Sequence, residues 1–202
     1  MVREGILPTI LACSNAYILD HDLGDSSQGY VAPINAAKTI LQYYNSGNVR
    51  QSTVLDAGCG TGLSGIAVRE ALGREAVIHG IDISTGMLDT AVKTGVYRSL
   101  KPANLSESLS ISDGSYDVVV CVGTLTAGHV GPVPALREFV RVCRSGGLVV
   151  ATVRENIWSE RGYEAEVERL SSTGIAKLRS ASSMPYREGQ GVNAKMLVLE
   201  KA

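Results

Sequence analysis

Seven consecutive residues, Asp56-Ala57-Gly58-Cys59-Gly60-Thr61-Gly62, carry the densest chemical information in the chain. They follow a short apolar run, Thr53-Val54-Leu55, and open a stretch with helical spacing from Leu63 to Leu72. Glycines in such a loop let a ligand approach the backbone closely, because residues without Cβ adopt φ > 0 without strain. A dinucleotide fingerprint spaces its glycines G-x-G-x-x-G, and here the third one, Gly62, arrives one position early. Asp56 at the loop entrance disfavours a pyrophosphate and suits a cation. A second acid, Asp82, ends the next apolar run about 26 residues later. The ribose-binding acid of nucleotide-binding βαβ units lies at a comparable offset. A carboxylate there accepts both ribose hydroxyls, and each charged hydrogen bond contributes about 1.5–3 kcal/mol.

A positively charged nucleoside satisfies both acids. S-adenosylmethionine has this character: its ammonium group would face Asp56 directly or through water, its ribose would meet Asp82, and Ile83 and Met87 would flank its adenine.

The elements that must position these residues follow from periodicity. Ala32 to Tyr44 has helical spacing, with Ile34, Ala37, Ile40 and Leu41 as an apolar stripe. From residue 52 strand and helix patterns alternate. Strands are expected at 53–56, 76–82, near 97–105, 116–122 and 147–153, and helices at 63–72, 84–93, 134–142 and 160–171. Ser84 has the type and place of an N-cap. Two further strands, 176–182 and 195–199, close the chain with Met184 to Asn193 as a long connection. Alternation predicts an α/β fold, a mostly parallel sheet with helices on both faces. The last two strands have no helix between them and form an antiparallel edge. Ligands in such sheets bind outside the carboxyl ends of the strands, where the glycine loop lies. The whole of 1–202 reads as one domain, with 1–50 a helical cover and 51–202 the α/β core.

These residues resemble the class I S-adenosylmethionine-dependent methyltransferases. The resemblance rests on Asp56 to Gly62, Gly80-Ile81-Asp82-Ile83-Ser84 with Met87-Leu88, Ser115-Tyr116-Asp117 through Gly123-Thr124-Leu125 and His129, and Gly146-Gly147-Leu148. With Tyr30-Val31-Ala32-Pro33 added, it narrows to one small subgroup of that class. The resemblance implies a Rossmann-like, seven-stranded sheet whose last strand is antiparallel. It implies that Gly58, Gly60 and Gly62 border the methionine portion, with Cys59 also among the cofactor-binding residues, that Asp82 holds the ribose, and that Val122 lies below the methionine moiety. Asn104-Leu105 falls where many relatives put an acid near the adenine amino group, so Asn104 would accept that bond through its amide oxygen. Arg144-Ser145 replaces the usual Lys-Pro before the Gly-Gly turn, read as a neutral variation.

Methyl transfer from a sulfonium needs alignment more than it needs acid–base groups, and good orientation contributes up to about 7–11 kcal/mol. A base is required only when the nucleophile arrives protonated. His129, in the loop after the fourth strand, is the candidate base; a structural hydrogen bond is the alternative reading. Tyr17, Tyr30, Trp158 and Tyr186 are candidates to line the substrate mouth, and Arg154 to pair with an anionic substrate or to make an exposed ion pair.

Composition narrows the partners. The 202 residues carry a net charge of -1, with 45% hydrophobic and 19% charged residues. No dense basic stretch favours nucleic acid, and no run is apolar enough to cross a bilayer. The four cysteines, Cys13, Cys59, Cys121 and Cys143, form neither a C-x-x-C pair nor a zinc spacing, so no metal is expected. Ile6 to Cys13 superficially resembles a leader, but Pro8 and Glu4 favour an amphipathic helix and a cytoplasmic protein. An Asn/Asp-Pro-Pro-aromatic motif, which serves amino-nitrogen methylation of adenine or glutamine, is missing. The expected activity is transfer of methyl from S-adenosylmethionine, leaving S-adenosylhomocysteine, to a small-molecule acceptor, by a monomer or homodimer. The alternative is a methyltransferase fold that binds the cofactor without turnover.

Overall fold

The computed structural model describes residues 29–44 and 47–202. The expected N-terminal helix, with Tyr17 and Cys13, lies outside the described residues. Helix α1 (Ala32–Tyr43) begins with Pro33 in its first turn, where a missing amide costs nothing. It buries Ala32, Ile34, Ala36, Ala37 and Ile40, whereas Leu41, expected in the stripe, is 37% exposed. The alternation then runs β1 (Thr53–Ala57), α2 (Leu63–Leu72), β2 (Val77–Asp82), α3 (Thr85–Val92), β3 (Ser99–Pro102), β4 (Tyr116–Leu125), α4 (Ala135–Val142), β5 (Cys143–Arg154), α5 (Tyr163–Ser172), β6 (Ala176–Arg187) and β7 (Val192–Lys201). Ser84 caps α3 as its type predicts, accepting from the Met87 amide at 3.3 Å.

The seven strands form one sheet in the order β3-β2-β1-β4-β5-β7-β6. β7 runs antiparallel to both neighbours and the remaining pairs are parallel. Strand order reverses between β1 and β4, and a cleft opens at their carboxyl ends. Residues along the central strands alternate between two cores. Val119, Cys121, Val149 and Ala151 face α4 and α5. Val118, Val120, Leu148 and Val150 face α1 and α2. Burial on both faces explains why β4 reads as an unbroken apolar run.

Three expectations are corrected. Met184 to Asn193 is not a long connection: the β6–β7 ladder continues to Arg187↔Val192. Pro185 lies within β6, an edge strand, where a missing amide is tolerated. Strand β5 begins at Cys143, with the Gly-Gly segment absorbed into an irregular start. Arg144 is not a neutral variation. Its Nε lies 2.5 Å from Asp117 and its Nη2 donates to the Tyr44 hydroxyl at 2.6 Å. Asp117 in turn accepts the Thr53 amide at 2.6 Å, so this group ties the end of α1 to the entry of β1 and β4.

Candidate functional site

The glycine loop is stapled to the end of β2. The Gly58 and Cys59 amides both donate to the Ile81 carbonyl, at 2.8 and 3.0 Å, and the Gly62 amide donates to Cys59 at 2.9 Å. The Gly60 amide donates to Asp82 Oδ2 at 2.9 Å. With these amides engaged, the loop is poorly equipped to cradle a pyrophosphate, which needs converging N–H groups. Gly58 is the position where only glycine fits: φ is +75°, and a Cβ would lie 2.2 Å from Thr124 Oγ1.

Asp82 is nearly buried, and its second oxygen accepts the Ser84 amide at 2.9 Å. Two backbone donors therefore fix the carboxylate at the cavity wall, and a carboxylate retains further lone pairs for a ligand. Beside it stand Ile83 and Met87, 70% and 47% exposed. Across from them lie Asn104, Leu105 and Ser106. Together with Cys59, Gly60, Val122, Thr124, His129, Tyr30 and Tyr186, these groups enclose a cavity of about 570 Å³.

Most expected site residues meet here: Gly58, Cys59, Gly60, Asp82, Ile83, Met87, Asn104, Leu105, Val122, His129, Tyr30 and Tyr186 all line the cavity. Burial and the nearby Asp56 and Asp82 push the Cys59 thiol well above its usual range, so it stays protonated.

Others lie elsewhere. Asp56 is fully buried beneath the loop rather than on the cavity wall, and accepts from Ser64 Oγ and Tyr97 Oη, each at 2.7 Å. Burial pushes its carboxyl up to about 6, with the two hydroxyls holding it down against that rise. Its work is to bind the start of α2 and the segment before β3 together. Gly62 caps α2 and faces Thr94 and Tyr97 instead of the cavity. Trp158 is a core residue, packed with Ile157 and Tyr163 at 8% exposure. Arg154 does not line the cavity; its guanidinium stacks 5.3 Å from the Tyr186 ring centroid. The Asn104 side chain lines the wall, but its oxygen already accepts the Ser106 amide at 3.0 Å and its nitrogen donates to Glu107 at 2.8 Å. Tyr17 lies outside the described residues.

Sequence reasoning did not single out Thr124, Ser106, Tyr97 or Arg187. Thr124 closes the loop from β4, donating to the Gly58 carbonyl at 3.2 Å. Arg187, at the end of β6, lines the cavity and stacks 5.6 Å from the Tyr30 ring. Tyr30 and Tyr186 pack edge to face at 5.0 Å, with the Tyr30 hydroxyl donating to Tyr186 at 3.3 Å. Both hydroxyls reach Gly123, where a Cβ would lie 2.7 Å from Tyr30 Oη. No cluster of potential metal ligands occurs among the described residues. No helix of the described residues is long and apolar enough to cross a membrane.

A doubly wound sheet with this loop, this strand-end acid and this cleft is the fold of solved S-adenosylmethionine-dependent methyltransferases. Residues 54–147 match the family model described as a methyltransferase domain, and the chain carries that domain. Methyltransferase-like protein 27 of Homo sapiens, whose subgroup the N-terminal and loop motifs resemble, is 34% identical over 160 residues, covering 77% of this chain and 63% of the human protein. Demethylmenaquinone methyltransferase of Bacillus pumilus is 32% identical over 117 residues, or 54% of this chain and 49% of that protein. The chain thus spans less than two thirds of these curated relatives. Among solved structures, magnesium protoporphyrin IX methyltransferase of Synechocystis PCC 6803, crystallised with bound S-adenosylmethionine, has a TM-score of 0.66 at 17% identity, over 95% of this chain and 91% of that one. At that identity the likeness is one of fold.

Proposed function

We propose that the chain transfers a methyl group from S-adenosylmethionine to a small-molecule acceptor. The observation that carries this reading is Asp82, held by the Gly60 and Ser84 amides beside the exposed apolar pair Ile83 and Met87. Two large apolar side chains left to solvent next to a fixed carboxylate match a ligand that presents a flat apolar ring and a diol. The residues therefore fit the cofactor. Asp82 accepts the ribose hydroxyls; Ile83, Met87 and Leu105 enclose the adenine; Gly60 and Val122 border the methionine portion.

When bound, S-adenosylmethionine supplies a methyl group already activated on sulfur. The chain's own residues then have three tasks. The stapled loop and Asp82 fix the cofactor's position, so alignment is set before the acceptor arrives. Tyr30, Tyr186 and Val122 exclude water from the transfer path. His129, on the same cavity, takes the proton of an acceptor that arrives protonated.

The cavity of about 570 Å³ must hold the cofactor and the acceptor together, which supports a small acceptor, since pockets of about 300–1,000 Å³ take one drug-sized ligand. The names of the demethylmenaquinone and magnesium protoporphyrin enzymes support the same class. The near-neutral charge argues against a nucleic-acid acceptor. The three cysteines among the described residues are buried and free, which goes with a reducing, cytoplasmic site of action. The test is the formation of S-adenosylhomocysteine when the purified chain meets S-adenosylmethionine and a small-metabolite extract. Release above the extract-free rate is expected. Binding of S-adenosylmethionine with no release in any fraction would leave a cofactor-binding scaffold in place of an enzyme.

A further inference from the structure

The carboxyl group of Asp56 lies one hydrogen bond below the cavity. Its Oδ2 accepts the Ser64 hydroxyl at 2.7 Å, and Ser64, in the first turn of α2, is itself a wall residue. Cys59 and Gly60, from the loop that Asp56 leads into, line the same wall, as does Asp82. Asp56 has no exposed surface. The groups that hold its Oδ2 are neutral donors, the Ser64 and Tyr97 hydroxyls, each at 2.7 Å. Its Oδ1 is buried with no hydrogen-bond partner among the described residues. A carboxyl so placed ionises at a cost, because burial takes the charge out of water and hydroxyl donors offset only part of that.

Burial pushes this carboxyl up to about 6; the two hydroxyls act against the rise, and the negative charge of Asp82, at the end of β2, adds to it. The other titratable neighbours are Tyr97, from the segment before β3, Cys59, from the loop, and Cys121, on β4. Each is pushed well above its usual range, first of all by burial, and stays protonated. From α2 comes Ser64, which does not titrate. A positive charge on the cavity side of Ser64 and Cys59 acts on Asp56 through protein, where screening is weaker than in water. The two forms of the cofactor differ in such a charge. S-adenosylmethionine carries a sulfonium, and S-adenosylhomocysteine a neutral thioether.

We propose that Asp56 distinguishes S-adenosylmethionine from its demethylated product by charge: the sulfonium binds with the ionised carboxylate and displaces its proton to solvent, whereas the thioether leaves that proton in place. This rests on the methyltransferase reading above and adds to it how the site exchanges spent cofactor for fresh. No covalent bond of the cofactor changes in the binding step; one proton passes from Asp56 to the buffer. Being fully buried, Asp56 acts through the wall that Ser64 and Cys59 form, as a positioning residue for the charge. After transfer the carboxylate loses its cationic partner and takes up a proton again, so the product is held less firmly than the cofactor it came from.

The experiment is calorimetric titration of the full chain with each ligand at pH 6, in two buffers of different ionisation enthalpy, which counts the protons released per site. For a tenfold preference of S-adenosylmethionine for the ionised form, a release of about 0.4 of a proton is expected, against less than about 0.1 for S-adenosylhomocysteine. Between pH 5 and pH 7.5 the ratio of the two affinities should then rise about fivefold in favour of S-adenosylmethionine. Asp56→Asn is expected to abolish both the release and the change in ratio. Tyr97→Phe, which removes a donor that favours the ionised form, is expected to move the release to higher pH. Equal proton counts for the two ligands, or a release that survives Asp56→Asn, as it would if His129 on the cavity wall were the source, overturns the proposal while leaving the methyltransferase reading standing. Should Asp56→Asn fail to fold, Tyr97→Phe decides, and a release that stays at the wild-type pH overturns the assignment to Asp56. Failure of both ligands to bind overturns the methyltransferase reading itself.

Discussion

The Gly60 amide donates to Asp82 Oδ2 across 2.9 Å, joining the loop after β1 to the last residue of β2. One hydrogen bond thus sets both walls of the cofactor end. The carboxylate that would hold a ribose is the group that holds the loop.

Asp82→Asn keeps one oxygen acceptor and loses the charge. Cofactor affinity should fall by about 1.5–3 kcal/mol, and thermal stability by about 1 kcal/mol, from the weakened tie to Gly60 and Ser84. Calorimetry and a melting curve read the two separately. Unchanged affinity would remove Asp82 from the ribose.

Gly58→Ala meets two obstacles, a φ of +75° and Thr124 Oγ1 at 2.2 Å. Destabilisation of roughly 2–4 kcal/mol is expected from the backbone strain and the overpacking together. Adding Thr124→Ala should recover part of the loss, because the Thr124 Cβ remains 2.9 Å away. A denaturation double-mutant cycle measures that coupling, and strict additivity would show that the contact carries no strain.

Asp56 makes stability pH-dependent. Its carboxyl is raised from an ordinary 3.8 to about 6, chiefly by burial. The folded state then holds the proton more tightly than the unfolded state. The resulting stability is complete below pH 3.8 and is lost as pH rises through about 6. Wild type should therefore lose up to roughly 3 kcal/mol more than Asp56→Asn between pH 4 and pH 7. Tyr97→Phe removes a hydrogen bond that favours the ionised form, so it should move the transition to higher pH. Parallel stability profiles for wild type and Asp56→Asn would contradict the assignment.

His129→Gln should leave S-adenosylhomocysteine affinity close to wild type. With a protonated acceptor, the transfer rate should drop by about 10²–10⁴. A rate equal to that of the wild type would reduce His129 to a wall residue.

Much of this was readable in the chain because it is local. The glycine loop, Asp82 and Ser84 lie within 27 residues of one another and are set by strand–loop–helix chemistry that each segment declares for itself. What escaped is tertiary. Asp56 meets Tyr97 across 41 positions, and neither residue carries a periodic signal for the other; read alone, Asp56 looks like a ligand group. Trp158 has the composition of a mouth residue, but the short helical turn after β5 directs it into the core. Pro185 and the glycines at 189 and 191 imitate a loop; only the edge position of β6 lets the ladder run past the proline. Arg187 became visible as a cavity residue once that ladder fixed its place.

The central claim is that the cleft between β1, β2 and β4 holds an adenosyl cofactor. Calorimetric titration of the purified chain with S-adenosylhomocysteine tests it most directly. Saturable binding at one site per chain, weakened by Asp82→Asn, is the expected result. A flat titration at millimolar ligand with a chain that melts cooperatively would contradict it.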